Sequence, residues 1–428
     1  MPSCLGAKTR TAVWIVKQYA VTPDMPGNTR HFELARRMVR AGYDVTIFAA
    51  GFHYSRREEH RATGKRIWST EHVSGVRLVW IKTPPFTRND WRRVVHMLAF
   101  SFRVWQVGAR FLGRLSPFSP PDLVLGCTAP PTAAFAAYLL SRRARCPFCY
   151  EIGDTWPKAL VEAGVVSKWN PLTVALSWLD RFLIRKAALI PTPLPGGAIY
   201  VAEQGGNAER VRWIPNGVTL DAWLGHARGE TRSKTSFMVV YVGILASVTP
   251  LDTLLRAAAT LEQEIDDLRI EIVGDGPRKA HLESLAESLG LTCVRFRPSV
   301  PRTEIPAILA EAAVGYYALR ETASFRVYGV GGKKLSEYFA AGLPVVFAAS
   351  TMIDPVKKAN CGISVPPYDV TAVAEALRTL YALSEAERLE MGRRGRRVAR
   401  DEYSWDVLAA RLGDVLLEVV QQEGTRKH

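Results

Sequence analysis

The sequence predicts an α/β protein of two halves, each a doubly wound parallel sheet with helices on both faces, the halves facing each other across a cleft. Three observations carry that reading. Short, nearly continuous apolar runs rich in β-branched residues alternate with stretches whose apolar residues recur at helical spacing, the pattern of strands buried on both sides. The same alternation starts again in the second half of the chain. At 428 residues the chain exceeds one hydrophobic core of ordinary size.

The first strand is Ala12 to Val16, followed by the Pro/Gly-rich loop Thr22 to Thr29. Phe32, Leu34, Ala35, Met38 and Val39 then fall on one helical face, and Gly42 suits the helix end. Val45 to Phe48, Val76 to Ile81 and Leu123 to Leu125 read as further strands. In the second half, Phe237 to Val242 is a strand opening into Gly243, Leu251 to Leu261 a helix, and Leu268 to Val273 a strand leading into Gly274-Asp-Gly-Pro277. Lys279 to Leu289 is helical, Thr292 to Phe296 a strand, and Leu309 to Val314 a helix passing into the strand Gly315 to Ala318. Leu335 to Ala341 is a helix and Pro344 to Phe347 a strand; Asp401 to Gln421 reads as one long helix. The expected domains are 1–195 and 206–400, with 401–428 crossing back to the first. The link is placed at Ile190 to Gly206, where Pro191, Pro193, Pro195, Gly196 and Gly197 cluster.

Basic residues outnumber acidic ones to give a net charge of +15, which points to nucleic acid, anionic lipid or phosphorylated substrates as partners. Of the six cysteines, only Cys146-Pro-Phe-Cys149 has metal or redox spacing, and without a second pair it reads, like Cys4, as ordinary reduced thiols. No signal peptide or apolar stretch of about 20 residues is seen, so a cytoplasmic protein without a membrane span is expected. Arg88 to Phe118 sets Arg88, Arg92, Arg93, Arg103, Arg110 and Arg114 against the single acid Asp90, interleaved with Trp91, Phe100, Phe102, Trp105 and Phe111. That mixture suits the face of an anionic bilayer, with the alternative of amphipathic helices packed on the sheet. Trp169 to Lys186, with Trp178, Arg181, Phe182 and Arg185, is a second candidate.

Loops after strands are where two such halves would hold a ligand. Pro26-Gly27-Asn28-Thr29-Arg30 precedes a helix whose free N–H groups suit an anion; a plain surface turn is the alternative. Gly329-Val-Gly-Gly-Lys333-Lys334 carries two ammonium groups into a helix start, which suits a diphosphate. Glu337, one turn on, can accept from a sugar diol; an ordinary solvated Lys–Glu pair is the alternative.

In order along nearly the whole chain, these pieces resemble the retaining GT-B glycosyltransferases of family 4. Ile214-Pro-Asn-Gly-Val218 resembles their I-P-N-G-V-D turn, Ile272 to Pro277 their V-G-D-G-P loop, and Lys334 to Val345 their K-L-x-E-Y-x-A-x-G-x-P-V segment. Gly153-Asp154-Thr155-Trp156-Pro157 and Arg30 to Ala35 resemble elements of the branch that builds bacterial O-antigen and capsule repeats. The resemblance implies two Rossmann-like domains, the first for the acceptor and the second for a nucleotide sugar. It implies that Glu337 holds the ribose and that Lys334, with Lys333, faces the diphosphate. Gly274, Gly276 and Arg297 would flank the base, Gly27, Asn28 and Arg30 would approach the diphosphate, and Asp154 would contact the acceptor hydroxyl. Asp154 and Lys334 are the catalytic candidates. Three positions depart from the pattern: Gly329 replaces an acid, Ile244 to Pro250 holds no base, and Gly153 replaces a histidine. Donor charge then rests on Lys334, Lys333, Arg30 and one of Arg320 or Arg326.

The implied activity is metal-independent transfer of a sugar, with retention, from a UDP-sugar to a lipid-linked or glycan acceptor in surface polysaccharide synthesis, with no cofactor. A D-x-D element for a metal is missing from the sequence. The protein would sit peripherally at the inner face of the plasma membrane. Two rival readings are a catalytically degenerate scaffold, which need not bind UDP, and a nucleic-acid-binding protein, for which no motif is found. A Rossmann oxidoreductase lacks its G-x-G-x-x-G in context.

Overall fold

The computed structural model describes residues 10–25, 27–61, 63–88, 90–113, 118–224 and 236–425. Cys4, Pro26 and Arg114, singled out in the sequence, lie outside the described residues. The chain divides into two compact units, Met1–Pro215 with Trp405–His428, and Asn216–Ser404.

The first unit runs β1 (Ala12–Val16), α1 (Arg30–Arg40), β2 (Asp44–Ala50), the short pair β3 (Phe52–His53) and β4 (Glu58–Glu59), β5 (Trp68–Val73), β6 (Val76–Ile81), α2 (Trp91–Phe111), β7 (Leu123–Cys127), α3 (Pro131–Ala144), β8 (Phe148–Glu151), α4 (Lys158–Glu162), α5 (Pro171–Lys186), β9 (Ile190–Thr192), α6 (Gly197–Glu203) and β10 (Val211–Trp213). Its sheet has the order β5-β6-β2-β1-β7-β8. All pairs are parallel except β5 with β6. The central strands are buried on both faces because each is apolar end to end, as in Val13, Ile15, Ile47 and Leu125. Helix starts follow local chemistry. Asp90 caps α2 by accepting from the Arg92 N–H, and Asn170 caps α5 ahead of Pro171.

The second unit runs α7 (Asp221–Leu224), β11 (Phe237–Val242), α8 (Asp252–Leu261), β12 (Leu268–Val273), α9 (Lys279–Ser288), β13 (Val294–Arg297), α10 (Ile305–Glu311), β14 (Val314–Ala318), α11 (Ala323–Tyr328), α12 (Lys333–Ala341), β15 (Val345–Ala348), α13 (Pro355–Ala359), β16 (Gly362–Val365), α14 (Val370–Ala382) and α15 (Glu385–Glu402). Its sheet is all parallel in the order β13-β12-β11-β14-β15-β16. The last helix, α16 (Trp405–Thr425), belongs to the first unit and packs on α1, burying Trp405, Leu408 and Leu412 in that unit's core. The fold class is that expected from the sequence.

Three local expectations are corrected. The segment from Ile190 to Gly206 is not a link but β9 and α6: β9 pairs with β10, and Tyr150 and Ile152 donate to the carbonyls of Leu189 and Pro191. Its prolines are tolerated at the margin of the sheet. The terminal helix is not continuous from Asp401. It breaks at Tyr403–Ser404, where the Tyr403 carbonyl accepts from the Val218 N–H and Ser404 bridges to Val218. Helix α10 starts earlier than expected, at Ile305 with Pro306 in its first turn, and ends at Glu311 where Ala312 turns extended.

Candidate functional site

In the second unit the strand order reverses between β11 and β14, and open parallel sheets take ligands beyond the strand carboxyl ends at such a reversal. Helix α12 starts there: a Cβ on Gly332 would stand 2.2 Å from the Tyr317 hydroxyl at the end of β14. Lys334, in the first turn of α12, lies across Gly243 just past β11. A Cβ on Gly243 would meet Lys334 Cε at 2.2 Å, so the lysine occupies the space a side chain would fill. Lys334 Nζ donates to the buried Tyr241 hydroxyl and stands 4.4 Å from the centre of its ring. The Tyr241 hydroxyl donates in turn to the Ile244 carbonyl at 2.9 Å. Burial pulls the Lys334 pKa down to about 8, against the opposing charge of Glu337.

Glu337 is mostly buried and pairs with Arg302 at 2.8 Å, a partner the sequence did not reveal. The glycines of the Gly274–Gly276 loop serve close packing: a Cβ on Gly274 would be 1.9 Å from the Gly243 carbonyl oxygen. The Gly274 N–H donates to the Arg297 carbonyl at 3.0 Å, so the main chain of Arg297 joins this cluster. The Arg297 guanidinium turns away to Glu271 at 3.2 Å. Asn216 donates through Nδ2 to the Gly331 carbonyl and so pins the loop entering α12. The position of the missing acid, Gly329, ends α11 with φ 71, which favours glycine over any side chain. Ile244, where bases are usual, is 68% exposed.

The first unit has its own reversal, between β1 and β7. Lys17, directly after β1, donates through Nζ to the Thr128 carbonyl just past β7. Thr128 Oγ1 accepts from the Gly153 N–H at 2.7 Å, placing Asp154 beside the same pair of strand ends. Burial raises the Asp154 pKa and Lys17 opposes it. The residue is nevertheless exposed at its surface, and the hydration it keeps there works against that push. Lys17 was missed because one lysine after a strand carries no sequence signal. Gly27 and Asn28 line a pocket of about 230 Å³ with Lys17, His31, Tyr54 and His60. His60 has both ring nitrogens buried without a hydrogen-bond partner. Burial, reinforced by Arg61, takes its pKa down to about 4 and keeps the ring neutral.

Arg30, expected to approach a diphosphate, is corrected. It is 2% exposed, and its guanidinium donates to Glu151 Oε1 at 2.6 Å, to the Pro215 carbonyl at 2.5 Å and to the Ile214 carbonyl at 2.7 Å. Its work is to fix the turn where the first unit ends. His31 also meets Glu151, at 2.7 Å. Burial opposes ionisation of Glu151, but Arg30 and then His31 outweigh it and hold the carboxyl well below its ordinary value. His31, Cys127 and Glu151 are near enough to hold a metal ion. They do not fit one, since Arg30 and His31 already occupy the carboxylate and burial keeps the Cys127 thiol protonated.

The basic aromatic helix α2 is partly corrected too. Phe100 is fully buried, Arg103 reaches the Lys82 carbonyl, and Arg93 lies over Tyr54 at 4.9 Å, so these three face the protein. Trp91, Leu98, Phe102 and Trp105 are exposed along one stripe of α2 together with exposed Arg92. On α5, Leu172, Val174 and Trp178 are exposed, with Trp169 before the helix and Arg181 and Arg185 beside them. Helix α3 packs against both α2 and α5. No described helix is long and apolar enough to cross a membrane.

Residues 27–217 match the family described as "Glycosyl transferase 4-like domain", and residues 226–398 match "Glycosyl transferases group 1". The chain belongs to the GT-B glycosyltransferases. This glycosyltransferase is 31% identical over 220 residues to a GDP-mannose-dependent alpha-(1-6)-phosphatidylinositol monomannoside mannosyltransferase of Mycobacterium tuberculosis, covering 49% of this chain and 57% of the relative. It is 33% identical over 205 residues to a D-inositol 3-phosphate glycosyltransferase of Salinispora tropica, covering 44% and 40%. The match thus spans little more than half the length of the first relative. Among solved structures, sucrose-phosphate synthase from Thermosynechococcus elongatus shares the fold of this glycosyltransferase at TM-score 0.72 and 17% identity, covering 96% of this chain and 100% of that one. Anabaena HepE in complex with UDP-glucose shares it at 0.65 and 15%, covering 96% and 100%.

Proposed function

We propose that the protein moves a sugar, with retention, from a nucleoside diphosphate to a lipid-linked or glycan acceptor of a surface polysaccharide. Breaking the donor bond builds negative charge on the diphosphate and positive character on the sugar ring. Lys334, Lys333 and the N–H groups at the start of α12 meet that negative charge, and fixed donors of this kind act without reorganising during the reaction. Glu337 holds the ribose, while the main chain at Gly274, Gly276 and Arg297 flanks the base. Asp154, beside Lys17 and Thr128, receives the acceptor hydroxyl. Gly27 and Asn28 line a pocket with Lys17, in the same unit as Asp154. The observation that carries the reading is Lys334 lying across Gly243 at the strand-order reversal.

The donor base is chosen between uridine, which the family resemblance suggests, and guanosine, which the name of the mannosyltransferase relative carries. A reading in which the acceptor lies at an anionic membrane surface is supported by α2 and α5, which expose tryptophan beside arginine on one unit. The test is a screen of UDP- and GDP-sugars on a lipid-linked acceptor, with mass detection of the product, in wild type and Lys334→Ala. Loss of one charged donor is expected to cost about 3 kcal/mol in the barrier, roughly a hundredfold in rate. Equal turnover in the two proteins overturns the proposal.

A further inference from the structure

At the other end of α12 the second unit has a cavity of about 350 Å³ lined by Leu220, Trp223, Ala340, Arg393, Arg396, Arg397 and Arg400. Nothing in the sugar-transfer reading uses it. Its floor is apolar, with Trp223 buried and Leu220 and Ala340 beside it. Its rim is basic. The side chains of Arg393, Arg397 and Arg400 are 60%, 54% and 64% exposed, so their guanidinium groups stand at the mouth and can turn. Their acidic neighbours are few: Glu390 is shared by Arg393 and Arg397 at 3.6 Å each and by Arg394 at 3.9 Å, and Asp401 pairs with Arg400. The Glu390 contacts are loose, and that one carboxylate leaves three guanidinium groups with surplus charge; the Arg400–Asp401 pair is close at 2.7 Å but exposed on both sides, where such pairs are weak.

Arg396 is engaged differently. It donates to the Ala340 and Ala341 carbonyls, where α12 ends. Burial lowers its pKa and the charge of Arg393 adds to that, so the site already holds crowded positive charge. A bound anion relieves the crowding.

We propose that this cavity binds a small amphiphilic phosphate, a phosphate monoester on an apolar body. Arginine forks match phosphate oxygens two at a time, which suits Arg393, Arg397 and Arg400 at the mouth. The apolar body lies on Leu220, Trp223 and the aliphatic arginine stems, which bury it from water. The volume is that of a small-molecule site. The inference stands apart from the sugar-transfer reading, because its residues and the donor residues lie at opposite ends of α12.

The experiment is titration calorimetry of the full chain with geranyl phosphate, and separately with inorganic phosphate and geraniol. Geranyl phosphate is expected to bind at least about tenfold tighter than either half alone. The double variant Arg397→Ala/Arg400→Ala, both residues exposed, is expected to weaken that binding by at least about tenfold. Arg378→Ala, a half-exposed arginine elsewhere in the unit, and Lys334→Ala are expected to leave it unchanged. Undetectable binding, inorganic phosphate binding as tightly as the geranyl ester, or equal affinity in the double variant and wild type overturns the proposal. So does loss of binding in Lys334→Ala, which would place the ester in the donor site.

Discussion

Lys334 Nζ rests on Tyr241, donating to its hydroxyl and standing 4.4 Å from its ring centre, while Gly243 leaves open the space that the lysine crosses. An ammonium held there without a carboxylate in hydrogen-bond contact is poorly solvated, and its pKa falls to about 8. Such a charge is available to a ligand that brings its own negative charge. Between about pH 8 and the ordinary lysine value of 10.5 the unfolded chain binds more protons than the folded one, so this group's contribution to stability rises with pH across that window.

Nucleoside diphosphate affinity is therefore expected to be level below about pH 8 and to weaken above it, with proton uptake on binding in that range. Calorimetry in buffers of different ionisation heat checks both. Lys334→Met is expected to lose the affinity and its pH dependence, and to raise the stability of the unliganded protein at pH 7 by about 2 kcal/mol. The same pH profile in the variant removes the lysine from the site.

Two glycine substitutions should separate function from folding. In Gly243→Ala the new methyl meets the end of a flexible lysine, so the expected result is weaker nucleotide binding at a stability cost of about 1–2 kcal/mol. In Gly274→Ala the methyl meets a main-chain oxygen, which has no room to move, and the expected cost is above about 3 kcal/mol. Urea melts beside binding titrations test the contrast; equal stability losses would refute it.

Arg30 and Glu151 form a buried pair whose removal should unfold rather than disarm. Arg30→Met leaves Glu151 charged and buried and two carbonyls at the end of the first unit without a donor. The expected loss is about 3–5 kcal/mol, with nucleotide affinity retained by the protein that remains folded. Because the Glu151 pKa is depressed in the folded state, its contribution is present above about pH 4.5 and disappears as pH falls through the folded value. A stable Arg30→Met with weakened nucleotide binding would return Arg30 to the donor site.

The legible part of this molecule was what period and motif carry. Strands such as Phe237–Val242 are apolar throughout, so their burial on both faces follows from the residues. The Lys334–Glu337 helix start was visible because glycines and charges sit together in the chain. Arg30 misled because its sequence neighbours, Gly27 and Asn28, face a pocket, whereas its own partner Glu151 is 121 residues away. Lys17 and Arg302 escaped for the same reason: each gains meaning from a partner, Thr128 or Glu337, that only the fold supplies. Phe100 and Arg93 were placed on the wrong side of α2 because a helix rich in aromatic residues on both faces has no unique apolar stripe to read.

Lys17 should act on the chemistry through Asp154. Its charge is what opposes the upward push of burial on that carboxyl. In Lys17→Met the acid limb of the turnover profile is expected to move to higher pH, with nucleotide affinity unchanged. Asp154→Asn is expected to lower turnover by about a hundredfold or more at all pH values, again sparing nucleotide affinity. Steady-state rates across pH with both variants test this; an acid limb that stays in place in Lys17→Met shows that the two residues are not coupled.

The exposed faces of α2 and α5 give the last expectation. Trp91, Phe102 and Trp178 are 67%, 61% and 70% exposed, and substituting them leaves the core untouched. Phe102→Glu with Trp178→Glu is expected to keep the melting temperature and to abolish sedimentation with anionic vesicles. Wild-type binding should weaken in high salt, since exposed arginines contribute about 1 kcal/mol each at such a surface and are screened within a Debye length. Phe100→Glu, two residues before Phe102 but on the buried face of α2, should instead unfold the first unit by placing a charge in its core. Vesicle binding that survives the double substitution, or that ignores both lipid charge and salt, would take these helices off the membrane.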